Sequence, residues 1–336
     1  MRLFCSWLAC FSLTLALTAS ASAQAKVESV LSGLNNPCGI AVQPGTGHVF
    51  VSDSGALRVV KFDPAGPGKA LDVITGFPRD VYGKGPMYDI GPLGLAFLDQ
   101  NTLVVGGGGQ IDGKELLRVY DVSSGNVLKA ADMKHSLGPI GPGDESIKGE
   151  GNFYGVAVTK TAIYVTSNGD DTKGWLARAV IKGGTPAGYA PFIATKVATN
   201  VDAPVGITVN KRGLLVVGQM GEINVPKDSL LTYYNPKNKK LLSKYETGLY
   251  DIAALAYSAS GRLYAVDFAW MATDQGGVFR LDRDGDDGVK AVKIAGLDKA
   301  TAIASDGKGA LYVTVFGTAK EGQKTPGTVV KITGKL

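Results

Sequence analysis

Cysteine and histidine are scarce in this sequence, with three Cys and two His among 336 residues. Cys5 and Cys10 fall in an apolar N-terminal segment, so we expect a mature chain that carries only the thiol of Cys38. One thiol forms no intrachain disulfide, and a zinc site needs more His and Cys ligands than this chain offers. Packing must therefore stabilise the fold, without disulfides or a structural zinc ion.

Helical periodicity, long apolar runs and one-sided charge are also lacking. No ten-residue segment after the N-terminal region repeats its apolar residues with a 3.6-residue period, and none approaches the length of a membrane-spanning run. Charged residues make up 19% of the chain, and the two signs are interspersed along it. We therefore expect a soluble monomer with no transmembrane segment after processing and no nucleic-acid partner.

The first residues have the pattern of a secretory signal peptide. Arg2 precedes an apolar run from Leu3 to Leu17, and Ala21 and Ala23 occupy the small-residue positions of a cleavage site. Cleavage after Ala23 would remove Arg2 and lower the formal net charge from +5 to +4. The alternative, lipidation at Cys10, would cut the apolar run in half. We predict a signal peptide at 1–23, a single domain at 24–336, and a secreted or periplasmic location.

One short segment is copied along the chain. "PCGIAV" at 37–42 returns as "PLGLAF" at 92–97, "FYGVAV" at 153–158 and "PVGITV" at 204–209, with weaker copies at 252–257 and 300–305. Each copy centres on a small anchor residue, and the anchors are 48 to 61 residues apart. The six anchors are Gly39, Gly94, Gly155, Gly206, Ala254 and Ala302. A repeat of this length indicates a propeller or a solenoid.

Each anchor segment is followed by further short apolar runs rich in Val, Ile, Leu and Tyr, bounded by Gly, Pro, Asn or Asp. Such runs are strands, and four strands per repeat describe the blade of a β-propeller. The prediction is an all-β, six-bladed propeller with four-stranded blades; a β-sandwich is the alternative. The sixth repeat has three strands, so we expect "KVESVL" at 26–31 to supply its fourth strand and close the ring.

The first copy resembles an NHL repeat over residues 34–63. Related six-bladed propellers include binding scaffolds and the SMP-30/gluconolactonase-like hydrolases. That hydrolase resemblance implies a divalent metal held by a Glu shortly before the first inner strand and by Asn and Asp directly before the anchors of later blades. The Glu position here is Asn35, and the residues directly before the anchors are Cys38, Leu93, Tyr154, Val205, Ala253 and Thr301, so the metal triad is absent. A weaker resemblance to the soluble quinoprotein sugar dehydrogenases implies a catalytic His and several cationic residues near the channel.

Blade topology sorts the loops onto two faces. Turns that join strands one to two and three to four are short, and we call their side the plain face. Loops that join strands two to three, and one blade to the next, are long, as at 76–91, 132–152 and 219–229. We call their side the loop-rich face and expect the functional site there. "DRDGDDG" at 282–288 lacks the Gly and Glu of a calcium-binding loop and falls on the plain face, where it predicts an acidic hairpin turn; a weak surface calcium site is the alternative.

Acidic, amide and aromatic side chains on the loop-rich face are the candidate ligand-binding residues. Those before the inner strands are Asp89, Glu150, Asn152, Asp202 and Asp251; those at the ends of second strands are Asp53, Asn168, Gln219 and Asp267; Trp175 and Trp270 are possible aromatic anchors. If Asp89, Glu150, Asp202 and Asp251 converge, a Ca²⁺ ion would relieve their repulsion. The alternative is that these side chains cap turns.

Two functional hypotheses follow. The first is a scaffold without catalysis that binds an extracytoplasmic protein or a carbohydrate-like ligand through its loop-rich face, with Trp175 and Trp270 partly exposed. The second is a calcium-assisted, lactonase-like hydrolase with its site at the mouth of the central channel.

Overall fold

The structure is a computed structural model that describes residues 25–83, 85–170, 172–285 and 288–336. The predicted signal peptide lies outside the described residues, as do Asp286 and Asp287 of the acidic turn. Among the described residues, the strands form six sheets of four or five strands, so the prediction of a six-bladed all-β propeller is confirmed. The described part contains no helix with the length and apolarity needed to cross a bilayer.

The first two blades follow strand β1 (Lys26–Leu34). Blade one contains β2 (Pro37–Val42), β3 (Val49–Asp53), β4 (Arg58–Phe62) and β5 (Leu71–Thr75), with a 3₁₀ turn at Ser54–Ala56. A hairpin of β6 (Asp80–Gly83) and β7 (Met87–Ile90) leads to blade two, which contains β8 (Pro92–Phe97), β9 (Thr102–Gly107), β10 (Leu117–Asp121) and, after β11 (Leu128–Lys129), β12 (His135–Leu137). Strand β11 pairs in parallel with β5 of blade one.

The next two blades each have four strands. Blade three contains β13 (Val156–Val158), β14 (Ala162–Ser167), β15 (Trp175–Lys182) and β16 (Thr185–Ala194). The short helix α1 (Thr195–Thr199) leads to blade four, which contains β17 (Pro204–Val209), β18 (Leu215–Gln219), β19 (Leu230–Tyr234) and β20 (Leu241–Glu246).

The last two blades complete the ring. Blade five contains β21 (Ile252–Tyr257), β22 (Leu263–Asp267), β23 (Gly277–Asp284) and β24 (Gly288–Gly296). Blade six contains β25 (Ala300–Ser305), β26 (Leu311–Val315) and β27 (Gly327–Thr333), and β1 pairs antiparallel with β27 as its outer strand. The predicted closure by the N-terminal strand is therefore confirmed, with β1 longer than the six residues expected.

Small anchors are needed because the inner strands of neighbouring blades lie almost in contact. A Cβ atom added at Gly39 would lie 2.0 Å from the carbonyl oxygen of Leu93, and one at Gly94 would lie 2.0 Å from that of Tyr154. Such distances are far inside van der Waals contact, so these positions exclude any side chain. The repeat signal in the sequence thus reflects close packing around the central channel.

The core consists of apolar layers between adjacent blades. One layer joins blades one and two through Phe50, Val59, Leu103 and Tyr120, all of them buried. The hydroxyl of Tyr120 donates to the carbonyl oxygen of Ala130 at 2.8 Å, which satisfies its one polar atom. Successive side chains along a strand point into the two layers that flank its blade, and both layers are apolar. Most strand positions in the inner half of the ring are therefore apolar.

Candidate functional site

The central channel opens on the loop-rich face into a small pocket, which we call the mouth pocket. Its cavity volume is about 80 Å³. Fifteen residues line it, drawn from all six blades or the loops beside them: Cys38, Tyr82, Tyr88, Ile90, Leu93, Asn152, Tyr154, Asn168, Val205, Met220, Ala253, Phe268, Trp270, Thr301 and Phe316. None of these described lining residues is Asp, Glu, His, Lys or Arg, so the pocket suits an uncharged ligand.

Aromatic rings build one wall of the pocket. The Tyr88 ring centroid lies 5.7 Å from that of Trp270 and 5.0 Å from that of Phe316, both in edge-to-face geometry. Phe268 packs on Trp270 at 4.9 Å and on Phe316 at 5.7 Å. Tyr88 arrives from the β6–β7 hairpin, and Phe268 and Phe316 follow β22 and β26 directly. Three separate loops therefore hold the wall by mutual packing.

Two hydrogen-bond donors in this wall have no partner among the described residues. They are the hydroxyl of Tyr88 and the indole Nε1–H of Trp270. Tyr88 is 6% exposed and Trp270 is 8% exposed, so water satisfies them poorly. A buried donor without an acceptor costs free energy, and native structures rarely retain one without a reason. Both atoms belong to residues that line the pocket, where the oxygen of a ligand would satisfy them.

The pocket floor is made by Cys38, Tyr154 and Ala253, which also border the wider chamber of the channel on the plain face. The hydroxyl of Tyr154 donates to the carbonyl oxygen of Thr301 at 3.0 Å, a bond that joins blade three to blade six across the ring. Burial raises the pKa of the Cys38 thiol to about 12, so this Cys remains a protonated thiol at neutral pH.

Of the eleven predicted binding residues, three line the mouth pocket: Asn152, Asn168 and Trp270. The other eight do not line it. Most of their side chains bind backbone groups or cations of their own loops, which is the turn-capping role that the sequence analysis held as the alternative.

The four predicted calcium ligands do not converge. Among the described residues there is no group of three or more His, Cys, Asp or Glu side chains placed to share a cation. Asp89 pairs with Arg79 at 2.5 Å, and Asp202 pairs with Lys196 at 2.7 Å. Both carboxylates are thus neutralised by cations of the same chain, and the expected repulsion does not arise.

Glu150 is buried within the loop at 132–152. Its carboxylate accepts a hydrogen bond from the hydroxyl of Ser146 at 2.7 Å and another from that of Ser167. Burial raises the pKa of Glu150 despite these bonds, and Asp170 adds to the rise. This carboxylate clamps the loop onto blade three and does not line the mouth pocket.

Asp251 and Asp267 hold the loop that carries Trp270. The backbone N–H of Trp270 donates to Asp251 at 2.5 Å, and Asp267 accepts from the N–H groups of Tyr250, Asp251 and Ala269. Burial raises the pKa of Asp251 to about 7, and the neighbouring Asp267 contributes to the rise. Asp251 and Asp267 do not line the pocket, and their role is to position Trp270 in its wall.

The remaining predicted residues are structural. Asp53 accepts the N–H of Asn35 at 2.6 Å and pairs with Arg58, and Gln219 donates to the carbonyl oxygen of Val201 at 2.6 Å. Trp175 donates from Nε1 to the carbonyl oxygen of Glu145 at 3.1 Å. Trp175 is 7% exposed, so neither it nor Trp270 is the partly exposed anchor that a docking surface requires.

Phe268 and Phe316 were missed in the sequence. Each follows the end of a second strand directly, as "VDF" and "TVF". Phe268 comes one position after the selected Asp267, whereas Phe316 follows Val315, in a blade where no acidic or amide residue was selected. The recurrence of an aromatic residue at this position in two consecutive blades is the signal that would have found them.

The two His residues lie away from the pocket. His48 belongs to a plain-face turn, where its carbonyl accepts from Gln43 N, and His135 lies in β12, the outer strand of blade two. The described pocket lining therefore lacks both the catalytic His and the cations that the resemblance to sugar dehydrogenases implied.

The sequence matches no known family profile and no curated protein. Solved structures with the same fold include a gluconolactonase from Xanthomonas campestris, 14% identical, with a TM-score of 0.61 over 94% of this chain and 92% of that one. A soluble aldose sugar dehydrogenase from Escherichia coli is 14% identical, with a TM-score of 0.59 over 93% of this chain and all of that one. A luciferin-regenerating enzyme is 12% identical, with a TM-score of 0.59 over 92% of this chain and 95% of that one.

These neighbours share the six-bladed propeller fold of this chain. The prediction of a scaffold without catalysis was wrong. The three neighbours above, which share the fold over nine-tenths of the chain, are named as enzymes, and both aromatic anchors on which the scaffold hypothesis rested are buried.

Proposed function

We propose that this chain hydrolyses small, uncharged cyclic esters of the sugar-lactone class, bound in the mouth pocket. The observation that carries the proposal is the pair of buried donors, Tyr88 OH and Trp270 Nε1–H. They lack a partner among the described residues, in a pocket whose described lining carries no charged side chain. The name of the gluconolactonase with the same fold supports the substrate class. The proposal keeps the lactonase-like hypothesis of the sequence analysis and omits its calcium ion.

Ester hydrolysis needs hydrogen-bond donors where negative charge develops. Water adds to the carbonyl carbon, the carbonyl oxygen becomes an oxyanion, the ring C–O bond then breaks, and the proton lost by water ends on the departing oxygen. Donors already fixed in a dry site stabilise that oxyanion strongly, because they do not have to reorganise during the reaction. Tyr88 and Trp270 are fixed by edge-to-face packing and are desolvated, so they meet this requirement.

The pKa of Tyr88 keeps its hydroxyl in the donor form. Burial raises this pKa to about 12, and the nearby Asp298 contributes to the rise. The hydroxyl therefore holds its proton across the physiological pH range. The absence of charged side chains from the described lining also selects the substrate, since a charged ligand would lose its hydration without gaining a counter-charge.

A metal-assisted mechanism does not fit the residues of the pocket. Asn152 and Asn168 offer carboxamide oxygens, but the described lining contains no carboxylate, and a hard divalent cation prefers several oxygen ligands that include carboxylates. We therefore derive no step through a metal ion. Hydrolysis should proceed at the same rate in calcium and in a chelator.

The test is a panel of glucono-δ-lactone and related five- and six-membered lactones, with ring opening followed by the release of acid. Tyr88→Phe and Trp270→Phe each keep an aromatic ring and remove one donor. Loss of one oxyanion donor is expected to lower kcat by roughly 100-fold with little change in KM. Tyr234→Phe is the matched control, because its hydroxyl is also buried and unpartnered among the described residues but lies in the core between blades three and four.

Wild-type turnover that is retained in a Tyr88→Phe, Trp270→Phe double variant would overturn the assigned role of these donors. A wild-type protein that opens none of the lactones would overturn the substrate class.

A further inference from the structure

Positive charge is concentrated on the plain face of blade four, opposite the mouth pocket. The turn "NKRG" at 210–213 joins β17 to β18, and the turn "NPKNKK" at 235–240 joins β19 to β20. Neither turn contains an acidic residue. The five cations that they carry are exposed: Lys211, Arg212, Lys237, Lys239 and Lys240.

Blade three contributes to the same surface. The Phe192 ring of β16 has the Arg178 guanidinium 4.0 Å from its centroid and the Lys239 ammonium 5.0 Å from it. One ring thus holds a cation from each of two blades close together. We call Arg178 and the five cations of the two turns the basic patch. Lys160 and Lys182, in the plain-face turns of blade three, are exposed and extend it.

None of the six cations of the basic patch takes part in an ion pair among the described residues. Arg178 and Lys239 contact the neutral ring of Phe192 in the cation–π pairs described above. By contrast, Asp89 and Asp202 of the loop-rich face are each paired with a cation. Several positive charges on one surface repel one another and attract a polyanion. Binding of the polyanion would release the counter-ions that each partner holds.

The backbone of both turns is fixed by asparagine side chains. The carboxamide oxygen of Asn210 accepts from Arg212 N at 2.9 Å, that of Asn235 from Lys237 N at 2.9 Å, and that of Asn238 from Lys240 N at 3.1 Å. The cations therefore project from defined backbone positions, which lowers the loss of conformational entropy on binding.

We propose that the basic patch binds an anionic polysaccharide. Single-stranded nucleic acid is held by exposed aromatic rings on which bases stack, and the two turns contain no aromatic residue. Peripheral binding to a bilayer uses aliphatic or aromatic residues at loop tips, and the two turns contain none of these either. Lys, Arg and Asn are the residues that remain, and they suit the acidic groups and hydroxyls of a charged glycan.

The charge is separate from the proposed active site. Five of the six cations lie in plain-face turns and Arg178 lies midway along β15, whereas the mouth pocket lies on the loop-rich face. A protein that loses one site should therefore keep the other.

The test measures binding of fluorescent heparin fragments, as a sulfated probe, and of alginate, as a uronate probe, across a range of NaCl concentrations. The patch variant carries Lys211→Gln, Lys237→Gln, Lys239→Gln and Lys240→Gln. The control carries Lys114→Gln, Lys308→Gln, Lys320→Gln and Lys324→Gln, four exposed cations outside the patch, and has the same net charge. We expect the patch variant to bind at least one of the two probes about tenfold or more weakly, with a shallower salt dependence, and the control to change less than twofold.

Three results would overturn the proposal. They are no binding of either probe by the wild-type protein, equal losses in the two variants, and tighter binding to single-stranded DNA or to anionic phospholipid vesicles than to either polysaccharide. The melting temperature of each variant shows whether it is folded. Because the binding assay does not use turnover, failure of the lactone assay would leave this test intact.

Discussion

Closure of the ring by the N-terminal strand should account for a large part of the stability of this protein. Strand β1 pairs with β27 from Lys26–Thr333 to Leu34–Gly327, and its side chains Leu31 and Leu34 are each 4% exposed. Both pack in the layer between blades six and one, with Phe62, Tyr312 and Val329. The informative change is the double substitution Leu31→Ala, Leu34→Ala, which keeps the strand and removes its apolar contacts.

The expected cost follows from these contacts. A buried Leu→Ala substitution costs about 2–5 kcal/mol, so the pair should lose roughly 5–8 kcal/mol, allowing for their shared neighbours. That loss is comparable to the whole net stability of a typical domain, about 5–15 kcal/mol. With an unfolding entropy of about 2.1 cal/mol/K per residue over roughly 310 residues, the melting temperature should fall by roughly 8–12 °C.

A calorimetric melt of the mature protein measures this fall. Ser29→Ala, Ser32→Ala is the control, because these residues lie in the same strand but are exposed. Release of β1 would also leave β27 as an open edge, so the Leu variant should self-associate near its melting temperature. A Leu31→Ala, Leu34→Ala protein that melts within about 2 °C of wild type would refute the conclusion that β1 closes the ring.

Two further predictions concern the channel and the buried acids. Gly94→Ala should prevent folding or lower the melting temperature sharply, because its Cβ would lie 2.0 Å from the carbonyl oxygen of Tyr154. Gly141→Ala is the control and should be neutral, because nothing lies within 4 Å of its added Cβ. Equal melting temperatures for the two variants would contradict the close-packing argument. The pKa of Asp251 is raised to about 7 in the folded protein, against 3.8 in the unfolded chain, so the folded protein binds this proton more tightly. The contribution of this protonation to the free energy of unfolding is therefore full below about pH 4 and is lost as the pH rises through 7. Asp251→Asn keeps an acceptor for Trp270 N and should flatten the decline in melting temperature between pH 4 and 7, and an unchanged pH profile would show that Asp251 does not titrate in this range.

The fold could be predicted because its determinants are local and repeated. Strand length, the alternation of apolar residues and the bounding Gly, Pro, Asn and Asp residues act within a few positions of the chain. The six small anchors at nearly constant spacing then require a ring, since only close approach of inner strands explains them. The closing role of residues 26–31 followed from counting strands, and β1 confirms it.

The site could be predicted only in part, because acidic residues before inner strands have two uses that look alike in a sequence. Asp89, Asp202 and Glu150 have the spacing of channel ligands, but each meets a cation or hydroxyl from its own loop first. Whether a carboxylate faces the channel or its own turn depends on side-chain direction and on loop packing, which a repeat pattern does not specify.

The sequence by itself determined the architecture, the six-fold repeat, the close-packed inner strands and the division into a plain and a loop-rich face. Tertiary structure decided which side chains meet. Tyr88, Phe268 and Phe316 are far apart in the chain and form one pocket wall because three loops fold over the same channel mouth. Arg178 and Lys239, in different blades, share one ring although the charges look interspersed along the sequence. Strand formation depends on neighbours in the chain, whereas pockets and charged patches depend on neighbours in space.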